Sequence, residues 1–268
     1  MIVTWNLTAL KHKHAGVDAL VLSIGKSGRT WLRVLLNKYL SLHYAVPFDT
    51  ENLSKYHDAI PSIGYSHELW KHYSAANLSQ HLRGKFIIPE KLLLKKKVVL
   101  LYRDPRDVSV SLYFQKTRRS DNRLACDIST FIHDRKFGIR NIINVMNKWH
   151  ERLLGHPQCL WLSYEQMRSD TVGSLIRVLE FLGIGEIDIA LAKEAVNFAK
   201  FENMKAMEAR GDFQKKSLQP GDPADADSFK VREGKVGGYK RHFSEADLHY
   251  IEAAMHDLDA FYDYKPNA

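Results

Sequence analysis

An apolar run from Ala19 to Ile24 meets a Gly-Lys-Ser-Gly turn and then a segment with helical periodicity that opens at Thr30. A strand, a tight turn and a helix in immediate succession commit the chain to placing a helix N-terminus at the end of a sheet strand. Gly25 and Gly28 let the backbone bend and approach a ligand closely, so that successive N–H groups converge on one anion. Lys26 adds a mobile positive charge. Leu32, Leu35, Leu36 and Leu40 recur at helical spacing over Thr30–Leu40, which brings the helix dipole to the same place. The turn therefore reads as a phosphate cradle. The nucleotide-triphosphatase loop requires a further glycine five residues before Gly25, where Leu20 stands, so this loop is shorter than that pattern. Taken alone, so short a motif also fits an ordinary turn with a solvated lysine, and the rest of the chain decides.

Strands and helices alternate beyond it. Leu20–Ile24, Ile60–Ser66, Val98–Tyr102 and Leu160–Ser163 read as strands, and Thr171–Leu182 and Ala190–Phe198 as helices. A second strand-to-helix passage falls at Arg103, where Asp104 and Pro105 suit a first helical turn. Helices are expected between Ile128 and Leu154, and a last one over Ser244–Tyr262 with Leu248, Ile251, Met255 and Leu258 as its core stripe. Ala209–Gly238 is polar, broken by glycine and proline, and long enough to be a candidate mobile lid. The pattern predicts one α/β domain spanning residues 1–268, with three layers, a central and mainly parallel sheet, and flanking helices.

Thirty-nine basic against 31 acidic residues give a formal charge of +8, which points to an anionic partner without choosing among nucleotide, substrate, nucleic acid and membrane. Lys95–Lys97 is the densest basic run and reads as a solvated strand entry, too short for a nucleic-acid tail. Cys126 and Cys159 have no metal-ligand spacing, so neither a zinc site nor a disulfide framework is expected. The first ten residues lack a charged leader and no run of 18 apolar residues occurs, so the expectation is a soluble cytoplasmic protein.

Five motifs in order resemble the cytosolic type of PAPS-dependent sulfotransferase, a P-loop-like α/β family. Gly25-Lys-Ser-Gly-Arg-Thr-Trp31 is similar to the family's Pro-Lys-Ser-Gly-Thr-Thr-Trp loop. The resemblance implies that Lys26, Ser27, Gly28, Arg29, Thr30 and Trp31 hold the 5′-phosphosulfate side of 3′-phosphoadenosine 5′-phosphosulfate (PAPS). Tyr102-Arg-Asp-Pro-Arg-Asp-Val-Ser-Val-Ser111 resembles Arg-Asn-Pro-Lys-Asp-x-x-Val-Ser, which assigns Arg103 and Ser111 to the 3′-phosphate. Leu162-Ser-Tyr-Glu-Gln-Met167, ahead of Glu180-Phe-Leu-Gly183, resembles the Tyr-Glu-Asp-Met and Phe-Leu-Gly pair and places Tyr164 near adenine. Phe201-Glu-Asn-Met204 matches Ser-Phe-x-x-Met at Phe201 and Met204, with Lys200 in place of the serine. Val231-Arg-Glu-Gly-Lys-Val-Gly-Gly-Tyr-Lys240 resembles Arg-Lys-Gly-x-x-Gly-x-Trp-Lys, so Arg232, Glu233 and Gly234 would close over the 3′-phosphate, Glu233 replacing a lysine. The family's dimerisation pattern does not follow Lys240, which leaves the oligomeric state open.

Sulfuryl transfer needs an in-line nucleophile and a stabilised leaving group, so positioning and electrostatics carry it, and no metal is required. Lys26, His67 and Ser111 form the expected catalytic set. Lys26 stabilises the bridging oxygen, and His67 is the leading base, because Ser66-His-Glu-Leu69 resembles Lys-Thr-His-Leu and stands at a strand end. His81 is its rival, at nearly the family's distance from a Leu-Leu-Pro segment. The acceptor is a small molecule of unknown identity, with Phe48, Tyr56, Tyr65, Trp70 and Phe213 as possible pocket aromatics. Two competitors are a P-loop kinase, which demands a Walker loop and an acidic magnesium ligand, and a silent bisphosphoadenosine-binding protein, which has no need of Lys26 and His67.

Overall fold

The computed structural model describes residues 12–212 and 219–265. The first ten residues, Phe213 and the part of the candidate lid from 213 to 218 lie outside them. In chain order the main elements are β1 (Ala19–Ser23), α1 (Arg29–His43), β2 (Ile63–Ser66), α2 (Glu68–Ala75), α3 (Leu78–Leu82), α4 (Glu90–Leu93) and β3 (Lys97–Tyr102). Next come α5 (Pro105–Phe114), α6 (Ile128–Ile132), α7 (Ile139–Leu153), β4 (Cys159–Ser163), α8 (Tyr164–Ser169) and α9 (Thr171–Leu182). The chain finishes with α10 (Ile189–Phe198), α11 (Phe201–Arg210) and α12 (Glu245–Met255). By compactness it divides into one unit of residues up to Tyr102 with Glu151–Asn197, and a second of Arg103–His150 with Phe198 onward.

The first unit holds the sheet. Its strands lie in the order β2-β1-β3-β4 and all pair in parallel. Every residue of β1 is buried, as a central parallel strand covered on both faces must be. The chain steps from β1 to β2 on one side and then to β3 on the other. That reversal puts the switch point, where open parallel sheets bind ligands, at the carboxyl ends of β1 and β3. The turn after β1 leaves the sheet there. Leu32, Leu35, Leu36 and Leu40 are all buried to 1% exposure or less, so the leucine stripe is the core face of α1. The expected strand Ile60–Ser66 is shorter, beginning at Ile63. The residues before it are tied instead by Ser62 N–H donating to Asp18 Oδ2 at 2.7 Å. Lys96 is not merely solvated, because its ammonium donates to the carbonyls of Ala15 (2.9 Å) and Val17.

The second unit packs Val110, Ile132, Ile139, Ile143, Tyr239, Phe243, Ile251 and Met255 into one cluster, with Leu248 and Leu258 partly buried against it. The α12 stripe is thus core, as its periodicity implies. The helix itself stops at Met255 rather than Tyr262. Asn147 captures the chain beyond it, donating to Asp257 O at 2.7 Å and accepting from Asp259 N–H at 2.9 Å. The helical stretch between Ile128 and Leu154 is broken between α6 and α7, where Asp134 Oδ1 accepts from the N–H groups of Lys136 and Phe137, both at 2.8 Å. Asp104 caps α5 through Arg106 N–H at 2.9 Å, with Pro105 in the first turn.

Candidate functional site

In the first unit the loop after β1 gains its shape from two left-handed residues, Lys26 (φ 70°) and Gly28 (φ 89°). Left-handed residues alternating with ordinary ones turn successive N–H groups inward, which is the concavity that anions occupy. Gly25 has no positive φ, so the conformational freedom expected of it falls on Lys26 instead. A side chain at Gly28 is also excluded by space, since its Cβ would stand 2.8 Å from Tyr164 Cδ2. Gly28 is the N-cap of α1, and no side chain caps that helix. Ser27 is fully buried, and its hydroxyl meets no hydrogen-bond partner among the described residues. A buried hydroxyl left unmatched beside a converging set of N–H groups fits a phosphate or sulfate oxygen. Trp31 and Tyr164 meet edge to face at 5.9 Å, and Arg168 lies 5.7 Å from the Trp31 ring centre. Lys26, Arg29 and Thr30 are half-buried at the mouth of the same helix.

His67 follows β2 directly and precedes α2. Its Nδ1 lies 2.9 Å from both the carbonyl oxygen and Oγ of Ser23, the last residue of β1. A carbonyl can only accept, so the proton sits on Nδ1 and Nε2 is the basic nitrogen. His81 is placed differently. It is exposed on α3 and stacks on His72 with ring centres 4.0 Å apart, while His72 Nδ1 donates to the Lys85 carbonyl at 2.8 Å. Only His67 of the two stands at a β-strand end.

In the second unit Arg103 and Arg106 are both buried, at 9% and 6% exposure. Arg106 is occupied by Asp104 (2.8 Å) and Glu252 (3.1 Å) and serves the fold. Arg103 donates to the Lys235 carbonyl at 2.7 Å and lies 3.3 Å from Asp107. Asp107 and Ser111 are one helical turn apart on α5, so they share a face. Asp107 also accepts from Gly237 N–H (2.8 Å) and Tyr239 N–H (3.1 Å). Glu208, 1% exposed, accepts from Lys230 N–H (2.6 Å) and Val231 N–H (2.9 Å). Two buried carboxylates thus pin both ends of the loop 230–239. Between them Arg232 lies 3.9 Å over the Phe114 ring and pairs with Glu233 at 2.6 Å, and Glu233 reaches Arg241 at 2.7 Å. Gly234 takes a left-handed turn at φ 62°. Met204 is buried at 2% and Phe201 half-buried, both on the first turns of α11.

Asp107 and Glu208 carry structure at these sites that the sequence did not single out for such roles. A buried acid gives no periodic signal, although Asp107 stands inside a quoted motif. Among the described residues no helix is long and apolar enough to cross a membrane.

The family model for the sulfotransferase domain matches residues 17–264. The chain is 26% identical to cytosolic sulfotransferase 17 of Arabidopsis thaliana over 90% of this chain and 73% of that protein. It is likewise 26% identical to mouse sulfotransferase 2A2, over 90% of this chain and 83% of that one. The fold superposes on retinol dehydratase in complex with androsterone and PAP with a TM-score of 0.64, at 18% identity over 90% of this chain and 80% of that one. Mouse sulfotransferase SULT7A1 complexed with PAP gives 0.60 at 17% identity, over 90% and 83% of the two chains.

Proposed function

The chain belongs to the sulfotransferase family, and on that premise we propose that it moves a sulfuryl group from PAPS to a hydroxyl or amine on a small acceptor, releasing 3′,5′-bisphosphoadenosine. The match over residues 17–264 carries this reading and displaces the kinase. The loop after β1, with its left-handed Lys26 and Gly28 and the unmatched Ser27 hydroxyl, suits the 5′-phosphosulfate. Lys26, Ser27, Gly28, Thr30 and the N–H of Arg29 serve that end, with Trp31 and Tyr164 beside the base. In the second unit Arg103 and Ser111, with Arg232, Gly234 and the backbone of Glu233 in the pinned loop, serve the 3′-phosphate, and Phe201 and Met204 the adenine side. Relatives named cytosolic support a cytoplasmic location.

PAPS supplies the activated sulfuryl group and a bisphosphate leaving group. His67 takes the acceptor's proton at Nε2, its tautomer held by Ser23. Lys26 neutralises negative charge as it grows on the leaving oxygen. The presence of both residues favours an enzyme over a silent binder. Transfer of radiolabelled sulfur from PAPS to a panel of phenols, alcohols and amines tests the proposal. His67→Ala is expected to lower kcat by ~10²–10⁴-fold while bisphosphate affinity holds. No transfer to any acceptor class, or an unchanged kcat in the variant, would count against it.

A further inference from the structure

Arg29 and Arg33 stand one turn apart on α1, and the Arg33 guanidinium carbon lies 4.0 Å over the ring of Tyr65 on β2. Two like charges at this helical spacing repel, so a chain holding them together on a half-buried surface gives up stability unless an anion joins them. Burial, and then Arg33, push the Arg29 guanidinium down to about 9, still cationic at neutral pH. No ion pair to a carboxylate forms at Arg29 or Arg33 among the described residues; Arg29 is acted on by Arg33 and Tyr65, and Tyr65 by both arginines, with the Arg33 side chain also within hydrogen-bonding reach of its hydroxyl. Glu68, the acid closest to Tyr65 in sequence, is taken by Lys13 at 2.7 Å and flanked by His12 at 3.4 Å. Arg33 Nε is buried without a hydrogen-bond partner among the described residues, and the buried Tyr65 hydroxyl has no neighbour to accept from it beside the Arg33 guanidinium, which can only donate. Buried polar atoms in folded proteins are normally matched, so an unmatched Arg33 Nε and a phenol with only a donor beside it, next to two guanidinium groups that meet no carboxylate, suit a ligand that brings oxygen acceptors.

The place of this cluster gives it a use. Tyr65 stands in register with Val21 of β1, and the His67 ring meets the side chain of Ser23, two residues further along β1 and on the same face of that strand as Val21. Resting on the sulfotransferase reading, we propose that Arg29, Arg33 and Tyr65 form an acceptor-specificity site that binds a carboxylate on a small hydroxyl acceptor while its hydroxyl faces His67. The guanidinium groups take the anion's oxygens, the phenol donates one more hydrogen bond, and the acceptor's reacting end lies along β2 toward the base.

Calorimetric titration of the protein with bisphosphoadenosine bound tests this, using three probes of like size and different charge: 4-hydroxyphenylacetate, its amide, and tyramine. The acid is expected to bind at least tenfold more tightly than the amide, and tyramine more weakly than either. Arg33→Gln and Tyr65→Phe, which remove a charge and a single hydroxyl, should bring the acid to within about twofold of the amide and leave bisphosphate affinity unchanged. Equal binding of acid and amide by the native chain would overturn the proposal. So would an Arg33→Gln chain that loses bisphosphate affinity while retaining the native acid-over-amide preference, since the pair would then serve the cofactor. Failure of the native chain to bind bisphosphoadenosine contradicts the sulfotransferase reading separately, and the same three probes titrated without nucleotide still decide the anion site.

Discussion

The two candidate anion-binding elements of this chain are built on different plans. The loop after β1 is one contiguous segment, Ser23 to Trp31, and its own backbone makes the cradle through left-handed turns at Lys26 and Gly28. The loop 230–239 has no such autonomy. It is held by two buried acids from elsewhere in the second unit, Glu208 at Lys230 and Val231, and Asp107 at Gly237 and Tyr239. The first is a site of local geometry, the second a site of imported hydrogen bonds. Damage to the first should therefore come from altering its own residues, and damage to the second from residues that touch no ligand.

Gly28→Ala breaks the first plan most severely. The left-handed backbone costs an alanine ~1–3 kcal/mol, and the new Cβ must displace Tyr164. Bisphosphate affinity is expected to fall by more than tenfold in a titration, with a lower melting temperature. Asp107→Asn tests the second plan without touching the loop's sequence. Its amide nitrogen would leave one of two backbone donors unmatched, at ~1–3 kcal/mol. Faster hydrogen exchange at Gly237 and Tyr239 with weaker bisphosphate binding is the expected outcome, and native exchange rates would show that the loop holds itself. Glu233→Gln has the smallest effect and the opposite sign. Its carboxylate now engages Arg232 and Arg241, and a half-exposed ion pair of this kind is worth ~0.2–1 kcal/mol. Arg232 would keep only its ion pair with Asp227 at 3.6 Å, which should tighten bisphosphate binding by up to about fivefold, whereas weaker binding would mean that Glu233 positions the arginine.

The same contrast explains what could be read from the residues. The β1 loop, α1 and the Asp104–Pro105 start of α5 are visible because strand runs, caps and leucine spacing are local signals. The helix α12 ends at Met255, and Asn147, far away in sequence, holds the chain beyond it at Asp257 and Asp259, a contact that no local signal reveals. Likewise Gly25 looked like the flexible residue of the cradle, while the backbone turns left at Lys26. Strand position favours His67 over His81 in the sequence, and the structure sets His67 at the end of β2 against Ser23 and His81 exposed on α3. Glu208 stayed unseen, since a buried acid on a polar helix looks like any exposed one until its backbone donors are known.

The most direct test of the central claim is calorimetric titration with 3′,5′-bisphosphoadenosine, run beside magnesium-ATP and with Arg103→Ala. A sulfotransferase binds the bisphosphate without metal and prefers it to magnesium-ATP. Loss of the charged hydrogen bonds from Arg103, ~1.5–3 kcal/mol, should weaken that binding by at least tenfold. No bisphosphate binding, or a preference for magnesium-ATP, would contradict the account.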